Sequence, residues 1–329
     1  MKIVLDTQGG DNPPQEIIKG GIEFAKETGE EVFFVGDREI LRKELSRAPQ
    51  IKSAIIHAPE VITMKDAPVE AIRQKKNSSL VTGINFFKKG LADAFISPAN
   101  TGAVMAASLF RLGRLPRIDR PGIIIALPTL KGGKVFVIDV GANADCAAHN
   151  LLQFAVMGQV YANIQGIANP TVGLLSIGQE SSKGNRLTLE AHAILREFPN
   201  FVGNIESNKV LQGGVDLVVC DGFSGNLILK AYPSAVDFTL KLLKREIEKT
   251  FRTKFGGWLI KPAIKKLRPL IHPAQYGGAP LLGVNGLVII AHGHSDSEAI
   301  KNALKVAKNS VENQLISKIK TRLNNYQGC

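Results

Sequence analysis

The feature that most limits how this chain can fold is the regular return of short, continuous aliphatic runs, separated by segments with helical spacing. The runs are Lys2–Asp6, Glu31–Gly36, Ile51–His57, Asp93–Ser97, Gly122–Leu127, Val135–Val140, Val172–Ile177, Val215–Asp221 and Leu287–His292. Runs that are continuous, not alternating, belong to strands covered on both faces. Between them Pro14–Glu27, Ser79–Lys89, Thr101–Leu112 and Ala147–Ala162 repeat apolar residues at the helical period. The alternation predicts a three-layer α/β/α architecture with a largely parallel sheet. No internal repeat and no Pro- or Ser-rich linker divides the 329 residues, so a single α/β domain spanning 1–329 is expected.

In such sheets ligands bind outside the carboxyl ends of the strands, and there the composition changes. The segments Asp6–Asp11, Ser97–Gly102, Asp139–Asn143, Gly178–Gly184, Asp221–Asn226 and His292–Ser295 are rich in Gly, Asn, Asp and Ser. Residues of this kind let a backbone turn tightly and aim amides at an anion. All six are expected on one rim. No G-x-G-x-x-G follows a strand and no G-x-x-x-x-G-K-[ST] occurs, so dinucleotide and P-loop chemistry lose their main support. Gly132-Gly133-Lys134 precedes a strand and reads as a hairpin turn. No His/Cys cluster has zinc spacing, and Asp6 and Asp11 in a Gly turn read as backbone braces; neither metal nor cofactor is expected. Ser295 and Glu298 read as a capping box opening the last helix, and no G-x-S-x-G elbow supports a serine nucleophile. Three scattered cysteines (Cys146, Cys220, Cys329) fit a reducing compartment better than a disulfide framework. No secretory leader and no membrane-spanning run is read from the sequence.

Residues 241–270 hold ten cations against Glu246 and Glu248, a net +8 of the chain's +12. Val236, Leu240, Leu243, Ile247 and Phe251 form one helical stripe beside them. Ile260, Ile264, Leu267 and Ile271 form another, after an expected interruption at Gly256-Gly257. Segment 235–271 therefore reads as a basic amphipathic helical hairpin tipped by Phe255 and Trp258. Two roles stand side by side: a dimerisation arm, or a membrane-surface element with cations such as Lys265 and Lys266 facing anionic lipid. A nucleic-acid module would interleave aromatics with the cations, yet aromatics are only 6% of the chain and the charge follows an apolar stripe.

Taken together, these loops resemble the bacterial phosphate acyltransferase (acyl-ACP:phosphate transacylase) family. The resemblance rests on Asp6–Asp11, Asn100–Ala103, Asp139–Asn143, Lys183-Gly184, Asp221–Asn226 with Lys230, and Tyr276–Gly283, in order over nearly the whole chain. It departs at Gln8, where the family usually has Met, and at Pro98-Ala99, where it usually has Ala-Gly. It implies a fold like the isocitrate and isopropylmalate dehydrogenases, a homodimer, and conversion of acyl-ACP and inorganic phosphate to acyl-phosphate for phospholipid synthesis. It further implies a cytoplasmic location with peripheral contact at the inner face of the cell membrane. A short-chain acyl-CoA:phosphate transferase and a non-enzymatic membrane scaffold are the rival readings.

The chemistry asks little of the protein. Phosphate is largely ionised near neutrality (second pKa roughly 6–7 by comparison with phosphoesters), and a thiolate of pKa about 8.5 leaves readily. Cations and amides that hold the dianion and the oxyanion suffice, so phosphate is expected to attack the thioester directly, without an acyl-enzyme. Lys183 is assigned to phosphate or oxyanion and Asn226 to the thioester carbonyl, with a plain helix-start cap as the alternative for Asn226; Lys230 adds positive potential or else forms a salt bridge. Asn100, Thr101, Gly102, Gly9, Gly10 and Gly184 are assigned to the phosphate cradle, and Asp6, Asp11, Asp139, Asn143 and Asp221 to bracing the loops.

Overall fold

The computed structural model describes residues 1–11, 14–271 and 277–326, with the side chains of all of these except 266–271. Tyr276, Cys329 and the Lys266 side chain lie outside the described residues. The first half of the chain contains β1 (Lys2–Asp6), α1 (Gln15–Thr28), β2 (Glu31–Gly36), α2 (Arg38–Leu45), β3 (Ser53–His57), α3 (Pro68–Gln74), α4 (Ser79–Lys88), β4 (Ala94–Ser97), α5 (Thr101–Arg111), β5 (Gly122–Pro128), β6 (Lys134–Ile138) and α6 (Ala148–Ile164). There follow β7 (Val172–Ser176), α7 (Arg186–Leu195), β8 (Phe201–Glu206), α8 (Ser207–Val210), β9 (Leu217–Val219), α9 (Gly222–Ile247), α10 (Phe251–Ile271), β10 (Ala279–Leu282), β11 (Val288–Ile290), α11 (Ser297–Glu312) and α12 (Leu315–Asn325).

The strands form one sheet in the order β3-β2-β1-β4-β11-β10-β5-β6-β9-β7-β8. Seven of its ten neighbouring pairs are parallel; β10–β11, β10–β5 and β5–β6 are antiparallel. Successive side chains of β1 serve opposite faces, Ile3 and Leu5 joining one buried cluster and Val4 the other. The first cluster draws on α1, α2, α6, α7, α11 and α12, the second on α3, α4, α5 and α8, with the start of α9 packed against it. Helix layers on both faces account for the uninterrupted apolar strands. Each of the nine runs read from sequence overlaps a strand, and the turn between β5 and β6 falls at residues 129–133.

Two strands escape the sequence pattern. The edge strand β8 is interrupted by Gly203 and Asn204, and β10 has only four residues behind Gly277-Gly278. The cap of α11 also moves by one residue. Asp296, not Ser295, accepts from the Ala299 N–H at 2.8 Å, and Glu298 instead pairs with Lys301.

The hairpin turns earlier than its glycines suggest. α9 runs unbroken from Gly222 to Ile247, and the chain reverses at residues 248–250. Thr250 and Thr253 cap the next helix reciprocally, each backbone N–H donating to the other's Oγ1 at 3.2 Å. Phe251 therefore begins α10 instead of ending the first stripe, and Phe255 and Trp258 lie along α10, not at the tip. Gly256 and Gly257 stay helical because the second is a packing residue: a Cβ on Gly257 would collide with Cγ2 of Ile247 across the hairpin.

Candidate active site

Strand direction divides the polar loops into two sets. β1, β4 and β11 are mutually parallel, while β6, β9 and β7 run opposite to them through the antiparallel steps at β10 and β5. The loops after β1, β4 and β11 thus leave one edge of the sheet, and those after β6, β7 and β9 leave the other. The expected single rim of six loops is corrected to two sets of three. No hydrogen bond or ion pair among the described residues joins the sets.

The second set is organised by Asp139, which is fully buried at the end of β6. Its Oδ1 accepts from the backbone N–H groups of Ile123, Gly141 and Ala142 at 3.0, 3.1 and 2.9 Å. Its Oδ2 accepts from Asn143 N and Nδ2 at 2.8 and 2.9 Å, and Asn143 Nδ2 also donates to Pro121 O at 2.7 Å. Burial pushes the Asp139 carboxyl up, and these donors push back. The amides of Gly141, Ala142 and Asn143 are therefore spent on an internal carboxylate instead of facing a bound anion.

Two glycines let α9 begin against this loop. A Cβ on Gly225 would collide with the Asp139 carbonyl oxygen, and one on Gly222 would stand 2.6 Å from Asn143 O. Asp221 caps the helix, Oδ1 accepting from Ser224 N at 2.8 Å and Oδ2 from Ser224 Oγ at 2.9 Å. Asn226, on the next turn, is not the cap, and its side-chain amide makes no hydrogen bond with the described residues. It stands across from Gly141, whose φ of 139° and missing Cβ keep that side open; a Cβ there would lie 3.8 Å from the amide carbon. Lys230, one turn further, is exposed and makes no ion pair among the described residues.

The β7 loop carries Lys183. Its backbone is pinned, N donating to Glu180 O at 3.0 Å and O accepting from Ser176 Oγ at 3.0 Å. Asn204 Nδ2 ties the same loop to β8 by donating to Glu180 O at 2.8 Å. The Lys183 side chain is exposed, with no ion pair among the described residues. Gly184 then turns with φ 132°, where a Cβ would strike Thr188 Oγ1, and Asn185 caps α7.

In the first set, buried Asp6 accepts from Gln8 N at 3.1 Å and Ser97 Oγ at 2.7 Å. Burial raises its carboxyl, against hydrogen bonds from Ser79, Ser97, Gln8 and Gly9. Gly9 lies on the backbone of Ala99, and Gly10, at φ 86°, against the carbonyls of Gly293 and Pro98. Asp11 closes the set, its N–H donating to Gly293 O at 2.8 Å and its Oδ2 lying 3.0 Å from His294 Nδ1. The Asn100 side chain ties the loop, Oδ1 accepting from Ala103 N and Nδ2 donating to Met64 O. What this set offers an anion is the N–H pair of Thr101 and Gly102 opening α5, which has no intrahelical partner.

Neither described cysteine is poised as a nucleophile. Burial pushes the Cys146 thiol up to about 12, and buried Cys220 also lies well above the ordinary value. Among the described residues no group of three His, Cys, Asp or Glu could hold a metal. A shallow cleft lined by Arg38, Arg42, Leu45, Ser53, Ala54 and Ile55 beside β3 shares no residue with either set. On the hairpin, Leu243, Phe251, Phe255, Trp258 and Ile260 are exposed, whereas Ile247 and Ile264 are half-buried. No helix among the described residues is long and apolar enough to cross a membrane.

Residues 1–318 match the family described as "Fatty acid synthesis protein". The phosphate acyltransferase of Halothermothrix orenii is 49% identical over 98% of this chain and 99% of its own. That of Pelotomaculum thermopropionicum is 47% identical over 99% and 96%. Among solved structures, a phosphotransacetylase from Streptococcus pyogenes aligns with a TM-score of 0.62 and 19% identity over 95% of this chain and 94% of its own. A 4-hydroxythreonine-4-phosphate dehydrogenase from Klebsiella pneumoniae aligns with a TM-score of 0.53 and 14% identity over 94% and 100%. These two likenesses establish the fold, including its dehydrogenase-like character.

Proposed function

The chain belongs to the fatty acid synthesis protein family and is a phosphate acyltransferase, and from that premise we propose that its acyl donor is a carrier-protein thioester, attacked directly by phosphate. The observation that carries this reading is the contrast within the second loop set. Its carboxylates, Asp139 and Asp221, are occupied as braces, while Asn226 and Lys183 present polar side-chain groups with no partner among the described residues. An amide donor and a cation are what a thioester oxyanion and a phosphate dianion require. No activated nucleophile is needed, consistent with two thiols held protonated by burial.

In this reading Asn226 Nδ2 donates to the thioester oxygen as charge develops there. The attacking phosphate oxygen forms the new bond to the acyl carbon, the carbon–sulfur bond breaks, and the carrier thiolate leaves. Lys183 holds phosphate, Gly184 shapes its loop, and Lys230 adds positive potential. The N–H groups of Thr101 and Gly102, with Gly9 and Gly10 beside them, are the competing phosphate cradle. A Lys183→Ala variant separates the two, since only the first arrangement raises the KM for phosphate.

The hairpin is assigned to an anionic membrane surface. Trp258 stacks on Phe255 at 6.1 Å, and around these exposed rings Arg252, Lys254, Lys261 and Lys265 make no ion pair among the described residues. Apolar rings entering a headgroup layer beside unpaired cations bind weakly and reversibly. A homodimer is the companion proposal.

The test is acyl-phosphate formation, trapped with hydroxylamine, from long-chain acyl-carrier protein with and without phosphate. Phosphate-dependent product is expected. Turnover with short acyl-CoA but none with the carrier thioester would overturn the proposed donor.

A further inference from the structure

A bulge in the edge strand β8 decides which way a buried amide points. β8 runs parallel to β7, but Val172 pairs with Phe201 and Leu174 with Asn204, so Val202 and Gly203 stand opposite Gly173 alone. Gly203 takes up the extra residue at φ 94°. In an unbroken strand Phe201 and Ile205 would share a face. Here Phe201 packs on the first cluster and Ile205 on the second, because a slip of one residue turns every later side chain over. Asn204 thereby comes to the α7 side of the sheet, where His192 sets its ring edge-on to Phe201, 5.3 Å between centroids. There Asn204 is 4% exposed, and its amide is engaged at both ends. Nδ2 donates to Glu180 O at 2.8 Å and to Lys183 O at 3.4 Å. Those carbonyls belong to the two ends of one turn, closed by Lys183 N donating to Glu180 O at 3.0 Å. With Nδ2 facing the carbonyls, Oδ1 faces the imidazole, 3.0 Å from His192 Nδ1, which therefore carries the hydrogen. The stem of Lys183 leaves the turn across Gly178, where a Cβ would stand 2.9 Å from its Cγ.

We propose that Asn204 is a positioning residue for Lys183: its NH2 group holds both ends of the turn that presents the ammonium, and His192 fixes the orientation of that NH2. The inference rests on the phosphate role given to Lys183 above and adds the residues that aim it. An apolar residue on a regular strand would fill this place without burying an amide. The bulged Asn204 instead fixes one loop, the one that carries the cation. A flexible lysine stem makes the backbone of that turn the part that must be held for the ammonium to meet a bound anion.

The test titrates inorganic phosphate calorimetrically into the full-length protein and its variants: Asn204→Asp, Lys183→Ala, these two combined, His192→Leu and His192→Asn. Asn204→Asp keeps an acceptor for His192 but turns an oxygen toward the two carbonyls. It is expected to weaken phosphate binding on the order of tenfold, and to add nothing once Lys183 is Ala, because the two residues act as a unit. His192→Leu weakens binding in the same direction, whereas His192→Asn, whose Nδ2 can stand where the imidazole Nδ1 was, restores it. Equal losses from Asn204→Asp with and without Lys183 overturn the proposal, since they would make Asn204 a general support of the fold. Unchanged binding in Asn204→Asp overturns it as well. If Asn204→Asp does not fold by circular dichroism, the His192 pair decides, and equal affinity in both overturns the proposal. Phosphate affinity unaltered by Lys183→Ala removes the Lys183 reading and this inference together. Affinity lowered by Lys183→Ala but not by the Asn204 or His192 exchanges removes only the positioning role. No acyl donor enters the measurement, so the carrier-thioester reading is tested separately.

Discussion

Asp139→Asn exchanges one carboxylate oxygen for an NH2 group in a site where every partner is a donor. The amide oxygen can keep the larger set, the N–H groups of Ile123, Gly141 and Ala142. Its NH2 must then face Asn143 N and Nδ2, which donated at 2.8 and 2.9 Å to the lost oxygen. One N–H of Asn143 Nδ2 retains Pro121 O, but its second N–H and the buried backbone N–H do not regain an acceptor. Each buried donor deprived of its acceptor costs about 1–3 kcal/mol, so the two together cost about 2–6 kcal/mol. Removing a charge that burial disfavours returns part of that. The net loss is still a large share of the 5–15 kcal/mol typical of a folded domain. Denaturant unfolding of the parent and variant at neutral pH measures it, and acyl-phosphate trapping reports whether Gly141 still lies opposite Asn226. A variant within about 0.5 kcal/mol of the parent would refute the claim that this carboxylate holds the loop.

Further outcomes follow from the same geometry. Asn226→Ala lowers turnover by about 100- to 1,000-fold if its amide meets the oxyanion while leaving unfolding unchanged; Asp221→Ala, which removes the α9 cap, costs about 1 kcal/mol. Gly225→Ala drives a methyl into the Asp139 carbonyl, so it destabilises by about 1–3 kcal/mol and, by displacing Asn226, lowers turnover about 100-fold; normal turnover would show that α9 need not sit so close. Glu30 is held below its ordinary 4.5 by hydrogen bonds from Lys308 and the N-terminus, so its contribution is present above that value and disappears as pH falls through the folded one. Glu30→Gln should therefore lose stability at neutral pH and converge with the parent in acid, as thermal unfolding against pH will show. Trp258→Asp should weaken sedimentation with anionic vesicles without changing the folded-state circular dichroism; unchanged binding would exclude Trp258 from any lipid contact.

Much of the architecture was legible because its signals are local. Continuous apolar runs such as Ile3–Leu5 and Phe95–Ile96 can be covered only from both sides, and each lies in a strand of the sheet. The missed strands lacked that signal: Gly203 and Asn204 break one, and the other is held by its register with Ile290 and Ile123 instead of by its own composition. Of the site, the residue types were legible but not their grouping. Asp139 and Asn226 are 87 positions apart, and nothing local says that a glycine at 225 lets them share one loop.

The sequence by itself determined the class of fold, the charged hairpin and the residues able to meet an anion, because hydrophobic period and residue chemistry are properties of short segments. Tertiary structure alone decided which of those residues are spent and which are free. Gly141 and Ala142 give their amides to Asp139, whereas the Asn226 side-chain amide and the Lys183 ammonium have no hydrogen-bond or ion-pair partner among the described residues. It also decided that the six polar loops leave opposite ends of the sheet, three at each, since the antiparallel steps at β10 and β5 reverse the strand direction between its halves. The hairpin turns at Thr250 for a similar reason: a glycine's effect depends on what lies opposite it, and opposite Gly257 lies Ile247.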